Sequence, residues 1–123
     1  MSSLSKTILI GNLCDQPEMV GQNGDVVRFT VATNESWRDK STGEQKKSVE
    51  YHRVVIFGQP ALYASQYFQK GRQVYIEGQN KTRKWTDNNG VDRYTTEVVV
   101  SKFEHKVMLL GNKQADQEQL GPI

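Results

Sequence analysis

Short apolar runs divided by turn-forming residues dominate the chain, and most of them alternate with the period of a β-strand. Thr7-Ile8-Leu9-Ile10 is apolar and stops at Gly11-Asn12. Gln22-Asn23-Gly24-Asp25 is a strong turn signal, and Val26 to Thr33 follows it as a strand. Val27, Phe29, Val31 and Thr33 share one face of that strand, and Val26, Arg28, Thr30 and Ala32 take the other. The polar stretch from Asn34 to Ser48 reads as a long loop, with Ser41-Thr42-Gly43 near its tip. Val49 to Phe57 is a third strand, and its end, Val54-Val55-Ile56-Phe57, is apolar on both faces, which predicts burial on both.

Gln59 to Lys70 is the one helical segment. Pro60 suits a first helical position, Lys70 the last turn and Gly71 the left-handed position beyond the end. Ala61, Leu62, Ser65 and Phe68 fall near one face, predicting a helix packed on the end of a sheet. Gln73 to Lys84 is a fourth strand, Asp87-Asn88-Asn89-Gly90 a turn, and Tyr94 to Val100 a fifth strand. Gly111 to Ile123 is polar and predicts a flexible end. Three strands, a helix and two strands fit an all-β OB-fold, a five-stranded, partly open Greek-key barrel with its helix between the third and fourth strands. A sandwich or a small α+β roll fits the same string.

With 123 residues and no internal repeat, the chain predicts one domain able to bury a core without disulfide or metal staples. No apolar run approaches the ~20 residues of a membrane helix, mean hydropathy is −0.68, and the first six residues lack a signal-peptide pattern. The single cysteine, Cys14, excludes an internal disulfide, and a reducing cytoplasmic setting is expected. Net charge is only +2, yet it is unevenly spread. Residues 70–84 set five cations against Glu77, a balance of +4, and residues 38–53 set five against three acids, a balance of +2. Residues 85–104 are acidic by two. Charge alone would also fit an ordinary solvated surface.

Enzyme signatures are missing. There is no Walker loop, no dinucleotide glycine fingerprint and no HExxH helix. His52 and His105 are far apart, Cys14 has no sign of activation, and the carboxylates form no diagnostic pair, so neither catalysis nor a metal or other cofactor is expected. What remains is aromatic residues interleaved with cations: Trp37 ahead of Arg38 and Lys40, Tyr51 beside Arg53, and Lys81-Thr82-Arg83-Lys84-Trp85. Tyr51, Arg53 and Phe57 point the same way because their spacing is even. Flat rings for bases and cations for phosphates are what single-stranded nucleic acid requires, at about 1–3 kcal/mol per stacked base. Each ring also has a plainer reading: Phe57 as core, Tyr51 as an ordinary strand tyrosine, Trp37 as a pin for a long loop. Trp85, in an exposed turn region, is the hardest to explain by packing.

Several stretches resemble the bacterial single-stranded DNA-binding protein (SSB) family: Ile10 to Leu13, Ala32 to Lys40, His52 to Gly58, Gly71 to Gly78, Thr82 to Asp87 and Asp92 to Val98. The resemblance runs from about Lys6 to about Phe103 and implies an OB-fold, a homotetramer, and sequence-tolerant binding of single-stranded DNA in replication, recombination and repair. It implies a DNA-binding domain over residues 1–106 and a tail over 107–123. The family's stacking positions match Trp37, Phe57 and Trp85, with Tyr51 where relatives often carry tryptophan. Its phosphate contacts match Lys40, Lys46, Arg53, Lys70, Lys81, Arg83 and Lys84. His52 matches a position used between subunits, and its parity sets it opposite Tyr51 and Arg53.

The first hairpin, Glu18 to Gly21, is short and lacks a basic residue that relatives carry, and Cys14 stands where they have something small and unreactive. The end differs most. Typical members run through a long linker to an acidic tip ending in Pro-Phe, whereas here Asp116 and Glu118 precede Leu120-Gly121-Pro122-Ile123. Pro122 and Ile123 are the expected remnant of a segment that recruits replication and repair proteins, acting weakly, and a frayed end with no role fits the same residues equally well. Two other readings stay open: an accessory OB protein that binds DNA only within a complex, and an OB-fold devoted to protein assembly.

Overall fold

The computed structural model describes residues 3–21 and 23–111. In chain order it contains β1 (Thr7–Leu13), β2 (Glu18–Val20), β3 (Val26–Arg38), β4 (Gln45–Phe57), α1 (Gln59–Tyr67), β5 (Gln73–Thr86), β6 (Asp92–Val100) and β7 (Val107–Leu109). The five long strands close into a barrel: β1 pairs with β3 and β5, β3 with β4, β4 with β6 and β6 with β5. All these pairs are antiparallel except β4–β6, where Val54, Val55 and Ile56 run parallel to Val98, Val99 and Val100. The helix lies between the third and fourth long strands, as the order of elements predicts. Two short strands that the sequence reading does not resolve flank the barrel, β2 on β3 and β7 on β5. Val107–Leu109 therefore adds sheet beyond residue 106.

Period-two alternation builds the interior. Leu9 and Leu13, Val27, Phe29 and Val31, Val54 and Ile56, Val74 and Ile76, and Val98 and Val100 all turn inward and are buried. Two glycines let strands approach where no side chain fits. A Cβ on Gly11 would lie 2.3 Å from the Ala32 carbonyl oxygen, and one on Gly78 would lie 2.7 Å from that of Val99. The helix closes one end of the barrel. Its buried stripe is Ala61 and Ala64, continued by Phe68, whose ring meets Phe29 edge-on at 5.6 Å. Leu62 turns outward instead, and the helix stops at Tyr67, so Lys70 and Gly71 lie in the loop beyond rather than in its last turn and cap.

The main correction concerns residues 34–48. They form no long loop; β3 and β4 stay paired from Val26↔Phe57 to Arg38↔Gln45, and only residues 39–44 turn. Asp39 organises that turn, its carboxylate accepting the Ser41 and Thr42 N–H groups while the Asp39 and Glu44 backbones pair at 2.8 Å. The Ser41 contact comes first among the causes that hold the Asp39 carboxyl below its ordinary range. Beyond Asn34 and Val49 the hairpin is an arm with solvent on both sides, which explains its polar sequence. A second correction concerns the end of β4. Val54 and Ile56 are buried, but Phe57, on the other face, is 43% exposed.

On the outside of β5, Glu77 is nearly buried, with the Tyr75 hydroxyl donating to it at 2.5 Å and Lys6 at 3.3 Å. The Tyr75 bond is the main reason its carboxyl sits below the usual range. No helix among the described residues is long and apolar enough to cross a membrane.

Candidate nucleic-acid interface

Register decides which of the candidate side chains meet. Opposed residues in an antiparallel pair, or level residues in a parallel one, project from the same face. Arg53 opposes Thr30, Tyr51 opposes Ala32 and Phe57 opposes Val26, all on the outer face of the barrel. Across the parallel seam, Val55 is level with Val99, so Glu97 and Thr95 of β6 continue the same face. Their partners on β5 are Lys81 opposite Glu97, Arg83 opposite Thr95 and Trp85 opposite Arg93. One outer surface thus gathers Tyr51, Arg53, Phe57, Lys81, Arg83 and Trp85. Tyr51 and Phe57 are six residues apart, about 20 Å along the strand.

A groove of about 260 Å³ on this surface is lined by Arg28, Arg53, Arg83 and Glu97, with Asp15, Gln16 and Glu18 among its other residues. Arg28 is paired to Glu18 at 3.1 Å and Arg83 to Glu97 at 3.2 Å. Arg53 has no ion-pair partner among the described residues and is the groove's uncommitted cation. Gln16, on the groove's wall, accepts the Lys70 backbone N–H at 3.3 Å, which anchors the Lys70 loop beside it. Trp85 is 42% exposed, and its indole N–H donates to the Thr95 hydroxyl at 2.8 Å, which fixes the ring on the surface. Cys14 is half-buried, and burial, followed by the charge of Asp15, pushes its thiol up, away from the reactive thiolate.

Trp37, Lys40, Lys46 and Lys84 fall elsewhere. Trp37 opposes Lys46 and shares its face with Thr33 and Glu50, the face from which His52 also projects. Tyr51 leaves the same hairpin from the opposite side. Lys46 is tied to Glu44 at 3.3 Å. Lys84 opposes Tyr94 and lies on the reverse of the β5–β6 hairpin from Trp85, paired with Asp92 at 3.3 Å. Lys40 sits exposed in the turn of the arm. His52 is half-buried, with Nε2 2.9 Å from the Thr33 hydroxyl, and points opposite to Tyr51 and Arg53, as parity predicts. Pro122 and Ile123 lie outside the described residues.

Sequence reasoning passed over four exposed residues of the same kinds. Arg28 lies in the groove, Lys47 shares the face of Tyr51 opposite Ser36, Tyr94 opposes Lys84, and Phe103 stands after β6. The even spacing of Arg28 and Thr30, and the symmetry of the β5–β6 strands about their turn, were available signals for Arg28 and Tyr94. Among the described residues, no group of three or more His, Cys, Asp or Glu could hold a metal ion.

The sequence model described as the single-strand binding protein family (SSB) matches residues 4–115. The chain belongs to that family. Among solved structures, the SSB of Plasmodium falciparum in complex with ssDNA is 38% identical, with a TM-score of 0.81, the match covering 90% of this chain and 98% of that one. A deletion mutant of the single-stranded DNA binding protein from Thermus aquaticus matches at 23% identity and a TM-score of 0.72, a likeness of fold. That match covers 89% of this SSB-family chain and 52% of the Thermus chain.

Proposed function

We propose that this SSB-family protein binds single-stranded DNA without sequence preference and protects it during replication, recombination and repair. The carrying observation is the outer surface on which Tyr51, Phe57 and Trp85 flank Arg53 and Lys81, cations with no ion-pair partner among the described residues. Rings accept any base on a π-face, and cations track the phosphates, so neither contact reads sequence. Family membership supports a binding protein rather than an enzyme. Trp37 and Lys46, on the reverse of the arm, would take a strand that passes around the arm's edge, and Lys40, at its turn, lies where the strand would cross. Lys70, Arg83 and Lys84 complete the proposed phosphate path.

The same reading includes a homotetramer with His52 between subunits. Two features favour assembly: Thr7 to Gly11 pair with β5 on one edge only, and Ile8 and Ile10 are both about half exposed beside that edge. Four copies would join short tracks into a path long enough to wrap DNA. Weak contacts with replication and repair proteins through Pro122 and Ile123 are part of the same proposal. A cytoplasmic, nucleoid-associated setting belongs to the same proposal.

Fluorescence anisotropy of labelled oligo-dT, beside oligo-dA and a duplex of equal length, tests the function. Tight binding of both single strands and weak binding of the duplex is the expected result. Equal affinity for duplex and single strand, or no binding at low salt, contradicts it.

A further inference from the structure

Phe103 is fully exposed to solvent, an unusual position for a phenylalanine in a braced loop. The loop, residues 101–106, is held from within by His105, which is nearly buried. Its Nδ1 accepts the backbone N–H groups of Ser101 and Lys102, both at 3.2 Å, so the ring proton resides on Nε2. The His105 N–H in turn donates to the Lys102 carbonyl at 3.0 Å, closing the turn. Phe103 is therefore displayed by an ordered backbone.

What it is displayed beside is informative. Phe57 and Phe103 wall one cleft of about 260 Å³, with Gln59, Pro60 and Lys102 among its other residues. Phe57 ends the row of rings that begins at Tyr51, so the cleft continues the candidate DNA surface toward the helix. Lys102 has no ion-pair partner among the described residues, and with Lys106 it outnumbers the loop's one acid, Glu104.

We propose that Phe103 is an additional base-stacking position, taking the nucleotide next to the one on Phe57, with Lys102 receiving the adjoining phosphate. The proposal rests on the single-strand-binding reading and extends its track by one ring. A lone exposed ring needs no occupant, but a ring held out beside a second half-exposed ring and a free cation suits a base and a phosphate together. A face buried between subunits would be expected to avoid an uncommitted lysine.

The test uses the full chain and oligo-dT long enough to span the surface, with Phe103→Ala, Phe103→Leu, Phe103→Tyr and Lys102→Ala compared by affinity, salt dependence and light-scattering mass. Stacking predicts that Phe103→Ala and Phe103→Leu bind about 5- to 150-fold more weakly. Phe103→Tyr should match the wild type, every mass should be unchanged, and Lys102→Ala should reduce the log–log salt slope by about 0.7. Wild-type affinity in Phe103→Leu would show that apolar bulk rather than a π-face matters, and would overturn the proposal. A lower mass in Phe103→Ala would make the ring a subunit contact and overturn it too. Unchanged affinity in Phe103→Ala, with the wild type binding normally, overturns this inference alone. A wild type that does not bind oligo-dT overturns the parent reading along with it.

Discussion

Trp37 and Tyr51 leave the β3–β4 hairpin on opposite faces, because Trp37 opposes Lys46 while Tyr51 opposes Ala32. They are 49% and 66% exposed. A single strand that touches both has to pass over the edge of the arm, and the strong twist of two-stranded ribbons helps it turn. The two rings then act as separated sites on one path. Trp37→Ala and Tyr51→Ala should each weaken binding of long oligo-dT by about 1–3 kcal/mol, and the double variant should lose their sum to within about 0.5 kcal/mol. A double-mutant cycle with larger coupling would place both rings on one base or one neighbouring pair.

The candidate cations differ in what they already hold. Lys84 is engaged with Asp92 and Arg83 with Glu97, whereas Arg53 and Lys81 are uncommitted among the described residues. Each phosphate neutralised contributes about −0.7 to the log–log salt slope for a single strand. Arg53→Ala and Lys81→Ala should each flatten the slope by about that amount, and Lys84→Ala by less, since Lys84 has to leave Asp92 first. Equal flattening by all three would remove the distinction.

Asp87 makes the β5–β6 turn sensitive to acid. Its carboxylate accepts the Val91 N–H at 3.0 Å, Arg93 Nε at 2.9 Å and the Asn89 N–H at 2.9 Å, and these bonds hold its carboxyl below the ordinary range. A carboxyl depressed in the fold contributes stability that is present above its unfolded value of 3.8 and is lost as pH falls through the lower folded value. Asp87→Ala should therefore be less stable near neutrality, with a flatter acid limb. Amide exchange at Trp85 to Arg93 should also quicken. An acid limb as steep as that of the wild type would assign the sensitivity to other groups.

Gly11 and Gly78 test the closure of the barrel. A methyl group at either meets a neighbouring strand's backbone, 2.3 Å from Ala32 O or 2.7 Å from Val99 O, and backbone cannot rotate away as a side chain would. Gly11→Ala and Gly78→Ala should each destabilise the fold by about 1–3 kcal/mol or more. Urea unfolding measures this directly. Gly43, whose added Cβ would meet nothing within 4 Å, has φ of +73°, so Gly43→Ala should cost backbone strain only.

The barrel's interior was legible because one buried face imposes period-two alternation on Val27 to Val31 and on Val74 to Ile76. The arm was not. Where both faces of Ser36, Lys47 and Ser48 meet solvent, nothing forces alternation, so a paired hairpin reads like a polar loop. The faces of Trp37 and Tyr51 were hidden for a related reason: parity within one strand is plain, but parity between two depends on the turn at 39–44. Even spacing did place Tyr51, Arg53 and Phe57 together. β2 and β7, at three residues each, are too short to show a period. The helix end was misplaced because Lys70 and Gly71 look like a last turn and cap, while Phe68 is pulled out of the helix to fill the barrel's end.

The binding proposed above requires rings on both faces of the molecule to hold one DNA strand. The most direct measurement is tryptophan fluorescence of two single-tryptophan variants, Trp37→Phe reporting on Trp85 and Trp85→Phe reporting on Trp37, titrated with long oligo-dT at low and high salt. Both signals should be quenched at the same stoichiometric end point in low salt, and both should recover as salt is raised. Emission that stays unchanged in either variant at low salt would contradict it.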